Sequence, residues 1–176
     1  MDELSAEKAF EGYLFDVVVR RYRRPDGSEY ERQVVVHPGA VAIVAHDERH
    51  LHLVRQPREA VGEEALLEIP AGTLDVDGES ELECGRRELV EEAGLEAGNW
   101  ELLRRIYPTP GFADETTTIF LATDLREVGA RPDEHEEIEI VRWPLADLDG
   151  AIAAVRDAKS LVGLLLLRER LRGQPR

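Results

Sequence analysis

The chain of 176 residues is 43% hydrophobic and 34% charged, enough apolar content for one domain with a buried core, and it carries a net charge of −15. That acidity argues against nucleic acid as a partner, whose affinity rests on Lys and Arg, but leaves room for a small anionic substrate, since local arginines or a bound metal reverse the field inside one pocket. The single cysteine, Cys84, excludes an intramolecular disulfide and suits a reducing cytosol; with no histidine close to it in sequence it reads as a buried side chain rather than a nucleophile.

In chain order, the first fifteen residues, MDELSAEKAFEGYLF, have neither a basic start nor an apolar stretch, so no signal peptide and a cytoplasmic location are expected. Residues 13–21, YLFDVVVRR, and 30–36, YERQVVV, are β-rich runs around a Pro-Asp-Gly turn and predict a hairpin. A second hairpin is expected from 41–45 and 51–56, flanking HDERH, and ALLEIPAG at 65–72 reads as a short strand stopped by Pro70 and Gly72. A helix follows through RRELVEEAGL at 86–95. Beyond it, 100–108 and 116–125 read as strands joined by a loop containing TPGFADE, and a polar segment leads into a strand at 138–143.

Residues 148–155 and 158–172 have helical composition, the second with an apolar stripe suited to a sheet. Its apolar run, 161–167, is too short to span a bilayer, so no membrane partner is expected. No repeat or linker marks a domain boundary, and strands with one central and one C-terminal helical region predict an α+β sandwich, helices covering a mixed sheet.

The segment 86–95 poses a question of its own. At about 100° per residue, Glu88, Glu91 and Glu92 fall within an arc of roughly 100°, and like charges at i,i+4 cost a few tenths of a kcal/mol. Leu82, Leu89 and Ala93 form an apolar stripe beside them for docking, and Gly94 ends the helix where a left-handed cap is cheapest. Two readings stand: a solvated acidic face paired with Arg86 and Arg87, or an all-oxygen site for a hard cation such as Mg2+ or Mn2+.

Extended to residues 71–95, AGTLDVDGESELECGRRELVEEAGL resembles the Nudix box, G-x5-E-x7-R-E-U-x-E-E-x-G-U with U aliphatic. Gly72, Glu79, Arg87, Glu88, Leu89, Glu91, Glu92, Gly94 and Leu95 carry the match. One departure exists: six residues rather than five separate Gly72 from Glu79, an extra loop residue that leaves the acidic edge in register. The resemblance implies the Nudix fold, an α/β/α sandwich, over nearly the whole chain, and hydrolysis of a nucleoside diphosphate linked to another group. It implies two or three Mg2+ ions, with Mn2+ as the alternative; divalent charge neutralises phosphoryl oxygens and activates water. Glu88 and Glu92 would be the main ligands, with the carbonyl of Ala71 and Glu91 assisting. Arg87 would orient a carboxylate, and Glu79 would tie the loop to the helix.

Pro110, in TPGFADE, lies 15 residues beyond Leu95, which resembles the spacing of the ADP-ribose pyrophosphatases, as do HPGAVAIV and the arginine-bearing run before the box. The resemblance then implies a homodimer in which N-terminal strands, residues 1–38, are exchanged between subunits, leaving 39–176 as the hydrolase domain. A hairpin that merely extends its own sheet is the alternative. Arg58 is the first candidate to grip a diphosphate and Arg55 the second, because a guanidinium offers a planar fork to phosphate oxygens. Gly111 and Glu115 would meet the terminal ribose, Phe112 would anchor their loop in the core, and Arg32 is a candidate for the nucleoside end.

The run DEHEEIEI at 133–140 is either solvated charge or the E-x-E-[DE] loop of that subfamily, with Glu134 as general base, Glu136 as a further metal ligand, Glu137 as the alternative for either, and His135 as bystander. The expected reaction is hydrolysis of ADP-ribose to AMP and ribose 5-phosphate. Its rivals are the same chemistry on GDP-mannose or ADP-glucose, and a non-catalytic ADP-ribose sensor.

Overall fold

The computed structural model describes residues 2–130 and 137–173, which divide into two compact units. The first begins with an antiparallel sheet of β1 (Asp2–Glu11), β2 (Asp16–Arg23) and β3 (Glu29–Val36), in that order. β2 and β3 are the expected hairpin, with Val17 opposite Val35, Val18 opposite Val34 and Tyr22 opposite Tyr30. Its pairs Arg21–Glu31 and Arg23–Glu29 close at 3.0 and 2.8 Å. Opposite charges facing each other across a ladder are the favourable arrangement.

Two features depart from the sequence expectation. β2 starts at Asp16 rather than 13, and a further strand, β1, precedes it with every residue exposed. DELSAEKAFE lacks alternating apolar positions, so only main-chain pairing to the edge of β2 makes it a strand.

The first unit also takes in residues 107–116, which nothing in the sequence separates from the rest of the hydrolase domain expected over 39–176. Val35 donates its N–H to the carbonyl of Phe112 at 2.8 Å, and Asp114 donates its N–H to the carbonyl of Val35 at 3.1 Å. The Asp114 carboxylate accepts from Arg20 Nη2 at 2.9 Å and from the N–H of His37 at 3.0 Å. Phe112, expected to anchor this loop in the core, is instead 58% exposed; main chain and Asp114 hold the loop.

The second unit is built on β4 (Ala40–His46), β5 (His50–Arg58), β6 (Glu63–Glu68), β7 (Ala71–Thr73), α1 (Glu81–Ala93), β8 (Leu95–Ile106), β9 (Thr117–Glu127), β10 (Glu139–Pro144), α2 (Leu148–Ala154) and α3 (Ala158–Gly173). The sheet runs β10-β5-β4-β9-β8, with β4 and β9 parallel and the other pairs antiparallel. β4 is an unbroken apolar run because both its faces are covered. Val41, Ile43 and Ala45 share one core with Cys84, Leu89 and Ala93 of α1 and with Phe120 and Ala122. Ala42 and Val44 share the other with Leu51, Leu53, Ile119, Leu121, Leu148, Ala151, Leu164 and Leu167. This is the expected α/β/α sandwich. Among the described residues, no helix is long and apolar enough to cross a membrane.

A splay in this sheet positions the site. β4 and β5 pair only beside their turn, at Ala45–His52 and His46–Leu51. Farther along they part: β6 pairs with β5 from Val54 to Arg58, and β7 with β4 from Ala40 to Ala42. Ile43 donates its N–H to the carbonyl of Pro70 at 2.8 Å, so the segment linking β6 to β7 fills the gap through a carbonyl that a proline still offers.

Candidate active site

The acidic helix α1 is fixed at both ends by local chemistry. Ser80 caps it, its hydroxyl accepting the N–H of Glu83 at 3.3 Å while the Glu83 carboxylate accepts the N–H of Ser80 at 2.9 Å. Gly94 ends it at φ 67°, and a Cβ there would lie 2.5 Å from the Ala130 nitrogen, so both conformation and space require glycine.

Arg87 gathers the charges that sequence alone leaves unexplained. Its Nε and Nη2 each donate at 3.0 Å to the two oxygens of Glu79, and its Nη1 donates to Glu88 at 2.7 Å and to Glu91 at 2.9 Å. Hydrogen bonding to Glu79, then the charge of Glu88 and the hydrogen bond to Glu91, outweigh burial and raise the guanidinium further above its ordinary range. The same contact holds the Glu79 carboxyl below the usual carboxylate range. Three carboxylates sharing one guanidinium offset the like-charge cost along the helix and still leave an excess of negative charge.

Glu92 lies one step farther in and is 3% exposed. It accepts the N–H of Ala71 at 2.9 Å and the side-chain amide of Gln56 at 3.4 Å, tying the helix to β7 and β5. Gly72 lies against Glu88 so closely that a Cβ would fall 1.9 Å from its carboxyl carbon. Ala71, Gly72, Glu79, Arg87, Glu88, Glu91 and Glu92 therefore come together where β4 and β5 splay.

Among the described residues, no group of three or more His, Cys, Asp and Glu is arranged as a formed metal site: Arg87 takes up Glu88 and Glu91, and Ala71 and Gln56 take up Glu92. The donor chemistry nonetheless fits a hard divalent cation, since the edge offers carboxylate oxygens in excess of positive charge. No thiolate competes: burial pushes the Cys84 thiol up to about 12, and its Sγ lies 3.5 Å from the carbonyl of Thr73.

Arg58, at the end of β5, turns its fork onto Glu68, with Nε at 3.1 Å and Nη2 at 2.6 Å from the two carboxylate oxygens. Arg55 lies 3.3 Å from Glu139 on β10. In the first unit, Arg32 lies over the ring of Tyr30, 4.7 Å from its centroid, and donates to the carbonyl of Glu31. Pro110, Gly111 and Glu115 fall within residues 107–116, with Gly111 exposed and Glu115 half-buried. Glu134, His135 and Glu136 lie outside the described residues, while Glu137 is exposed. Two residues that hold these side chains were not singled out from the sequence, Gln56 against Glu92 and Glu68 against Arg58; the one available signal was Glu68, a charge inside the apolar run LLEIP.

A family model for the NUDIX domain matches residues 36–165. The ADP-ribose pyrophosphatase of Mycobacterium tuberculosis is 41% identical over 149 residues, covering 83% of this chain and 72% of that protein. The ADP-ribose pyrophosphatase of Bacillus subtilis is 36% identical over 178 residues, covering 97% and 95%. The crystal structure of an ADP compounds hydrolase superposes with a TM-score of 0.87 at 30% identity, over 99% of this chain and 96% of that one. The chain belongs to the Nudix family and is a hydrolase of that family.

Proposed function

We propose that this hydrolase cleaves the diphosphate of ADP-ribose, giving AMP and ribose 5-phosphate, with two or three Mg2+ ions and Mn2+ as a substitute. The observation that carries the reading is the acidic edge of α1: Glu92 is held by Ala71 and Gln56, and Glu88 is packed on Gly72 and tied to Arg87. The names of the two pyrophosphatase relatives support the choice of substrate.

Glu88 and Glu92 would hold the ions, helped by Glu91, the carbonyl of Ala71 and Glu136. When bound, they neutralise phosphoryl oxygens and lower the pKa of a water. Arg87 and Glu79 keep the carboxylates of the helix in place without touching substrate. Glu134 takes the proton of the water that attacks one phosphorus, and the P–O bond to the other phosphate breaks. Arg58 and Arg55 grip the diphosphate, Gly111 and Glu115 meet the terminal ribose, and Arg32 serves the nucleoside end. A cytoplasmic homodimer with exchanged N-terminal strands completes the reading.

The test is release of nucleoside monophosphate, GMP from GDP-mannose and AMP from ADP-ribose, ADP-glucose, NADH and diadenosine polyphosphates, with Mg2+ and again with EDTA. Preference for ADP-ribose, abolished by EDTA, is the expected result. EDTA-sensitive preference for another member keeps the metal edge and discards the substrate; inactivity on all of them removes ADP-ribose hydrolysis in favour of a sensor or of a substrate outside the panel.

A further inference from the structure

Glu68 is 2% exposed, yet three cationic donors converge on it: Nε and Nη2 of Arg58, and Nζ of Lys159 at 3.0 Å. Stability is a weak reason for such a cluster, because a buried ion pair rarely outperforms apolar side chains of the same volume. Geometry is a better one. A guanidinium is planar, so clamping its Nε–Nη2 edge fixes the direction of everything else it offers. Arg58 keeps 40% of its side chain exposed, and the Glu68 contacts leave the Nη1 edge for a ligand.

The clamp has its own support. Asp157 accepts the N–H of Ser160 at 3.1 Å, capping α3, and its same oxygen lies 3.0 Å from Lys159 Nζ. Ser160 in turn accepts the N–H of Ile69 at 2.9 Å. The first turn of α3 thus holds two consecutive residues, Glu68 and Ile69, immediately before Pro70, Ala71 and Gly72. Gln56, two residues before Arg58 on β5, donates to Glu92 at 3.4 Å, so the strand that carries Arg58 reaches the acidic edge; burial disfavours the guanidinium's charge, but Glu68, Glu92 and Asp157 outweigh it.

We infer that Glu68 is a positioning residue which, braced by Lys159 and Asp157 from α3, aims the free edge of Arg58 at the diphosphate of the substrate. The inference rests on the proposed role of Arg58 as the diphosphate grip. A carboxylate that merely stabilises the fold would make no difference to a bound diphosphate once the protein is folded.

The experiment uses the whole chain and ADP as probe, titrated calorimetrically in EDTA, beside steady-state kinetics with ADP-ribose, for Arg58→Lys, Glu68→Gln and the double variant. Losing a charge-assisted clamp should weaken ADP binding and raise KM about tenfold, with kcat within about twofold. The double variant should bind no worse than Arg58→Lys alone, because Glu68 acts only through Arg58. Glu68→Asp keeps the charge opposite Lys159 but shortens the reach, so it stays folded and still weakens ADP binding. Wild-type ADP affinity in both Glu68 variants, or effects of Glu68→Gln and Arg58→Lys that multiply, overturns the inference. Coupled loss of ADP binding without ADP-ribose turnover keeps it and discards the substrate; turnover insensitive to both positions keeps the substrate and discards it.

Discussion

Gly72→Ala tests whether Glu88 must lie where the structure places it. The new Cβ would stand 1.9 Å from the carboxyl carbon and Oε1 of Glu88 and 2.3 Å from its Cγ. Carbon contacts settle at roughly 3.5–4.0 Å, so the side chain has to retreat by about 1.5 Å or more. Turning the carboxyl group alone does not help, because Cγ clashes as well. Nor can the backbone withdraw freely, since Gly72 pairs with Val41 in the sheet. The retreat takes Oε1 away from Arg87 Nη1, now 2.7 Å distant. Overpacking of this kind costs about 1–3 kcal/mol, and Tm falls by about 2–4 °C per kcal/mol in a chain of this size. A displacement of about 1 Å in a group that must be placed for reaction costs on the order of 10²-fold in rate. Thermal unfolding and AMP release at saturating Mg2+ read the two effects separately. Gly85→Ala on the same helix is the control: its Cβ meets nothing nearer than 3.4 Å, and helix propensity favours alanine by about 1 kcal/mol. Wild-type kcat in Gly72→Ala would refute the placement of Glu88 in the reacting constellation.

Glu92→Gln replaces a carboxylate oxygen with an amide beside the N–H of Ala71 and the amide of Gln56, and should lower kcat by roughly two orders of magnitude or more, as expected when several kcal/mol of metal charge stabilisation is lost. Unchanged turnover by AMP release would remove the metal assignment. Gly163→Ala sets a Cβ 2.7 Å from Val44 Cγ2 and 3.2 Å from Ile69 Cδ1, so α3 must lift off the sheet; urea unfolding should show a loss of about 1–3 kcal/mol despite the better helix propensity, and a gain would contradict the close approach. His52 is 4% exposed, and burial, aided by Arg142 and His50 against the pull of Asp47, holds its imidazole below the ordinary 6.5. The folded state therefore favours its neutral form, and its contribution to stability is complete above pH 6.5 and declines as the pH falls below that value. Urea midpoints from pH 7.5 to 5 should decline more steeply for the native chain than for His52→Gln, by at most about 1.4 kcal/mol per pH unit; parallel curves would dismiss the role of His52.

Much of the second unit was legible because its signals are local. Apolar runs bounded by turns located β4, β5 and β9, and helical spacing fixed the angles among Glu88, Glu91, Glu92 and the apolar stripe, whatever they pack against. β1 was not legible, since an exposed strand on a sheet edge needs only main-chain pairing and leaves no apolar alternation. The loop TPGFADE, residues 109–115, carries no sign that it leaves the hydrolase domain, but the carbonyl of Phe112 and the N–H of Asp114 pair with Val35 of β3, and no local pattern records which edge a loop will meet.

By itself the sequence determined the acidic edge of α1, its glycine stop, the sandwich and the family, because each depends on spacing within a few turns or on residue types in fixed order. Only the tertiary structure decided what those groups touch. Arg87 was legible as an arginine beside three acids, but not as one guanidinium that gathers Glu79, Glu88 and Glu91. Arg58 was legible as a guanidinium available to phosphate, but not as one clamped by Glu68. The hydrogen bond from Ile69 to Ser160 that supports this clamp joins positions 91 residues apart. Contacts of that separation follow from how β6 and α3 pack across the sheet, and packing is a property of the whole chain rather than of any stretch within it.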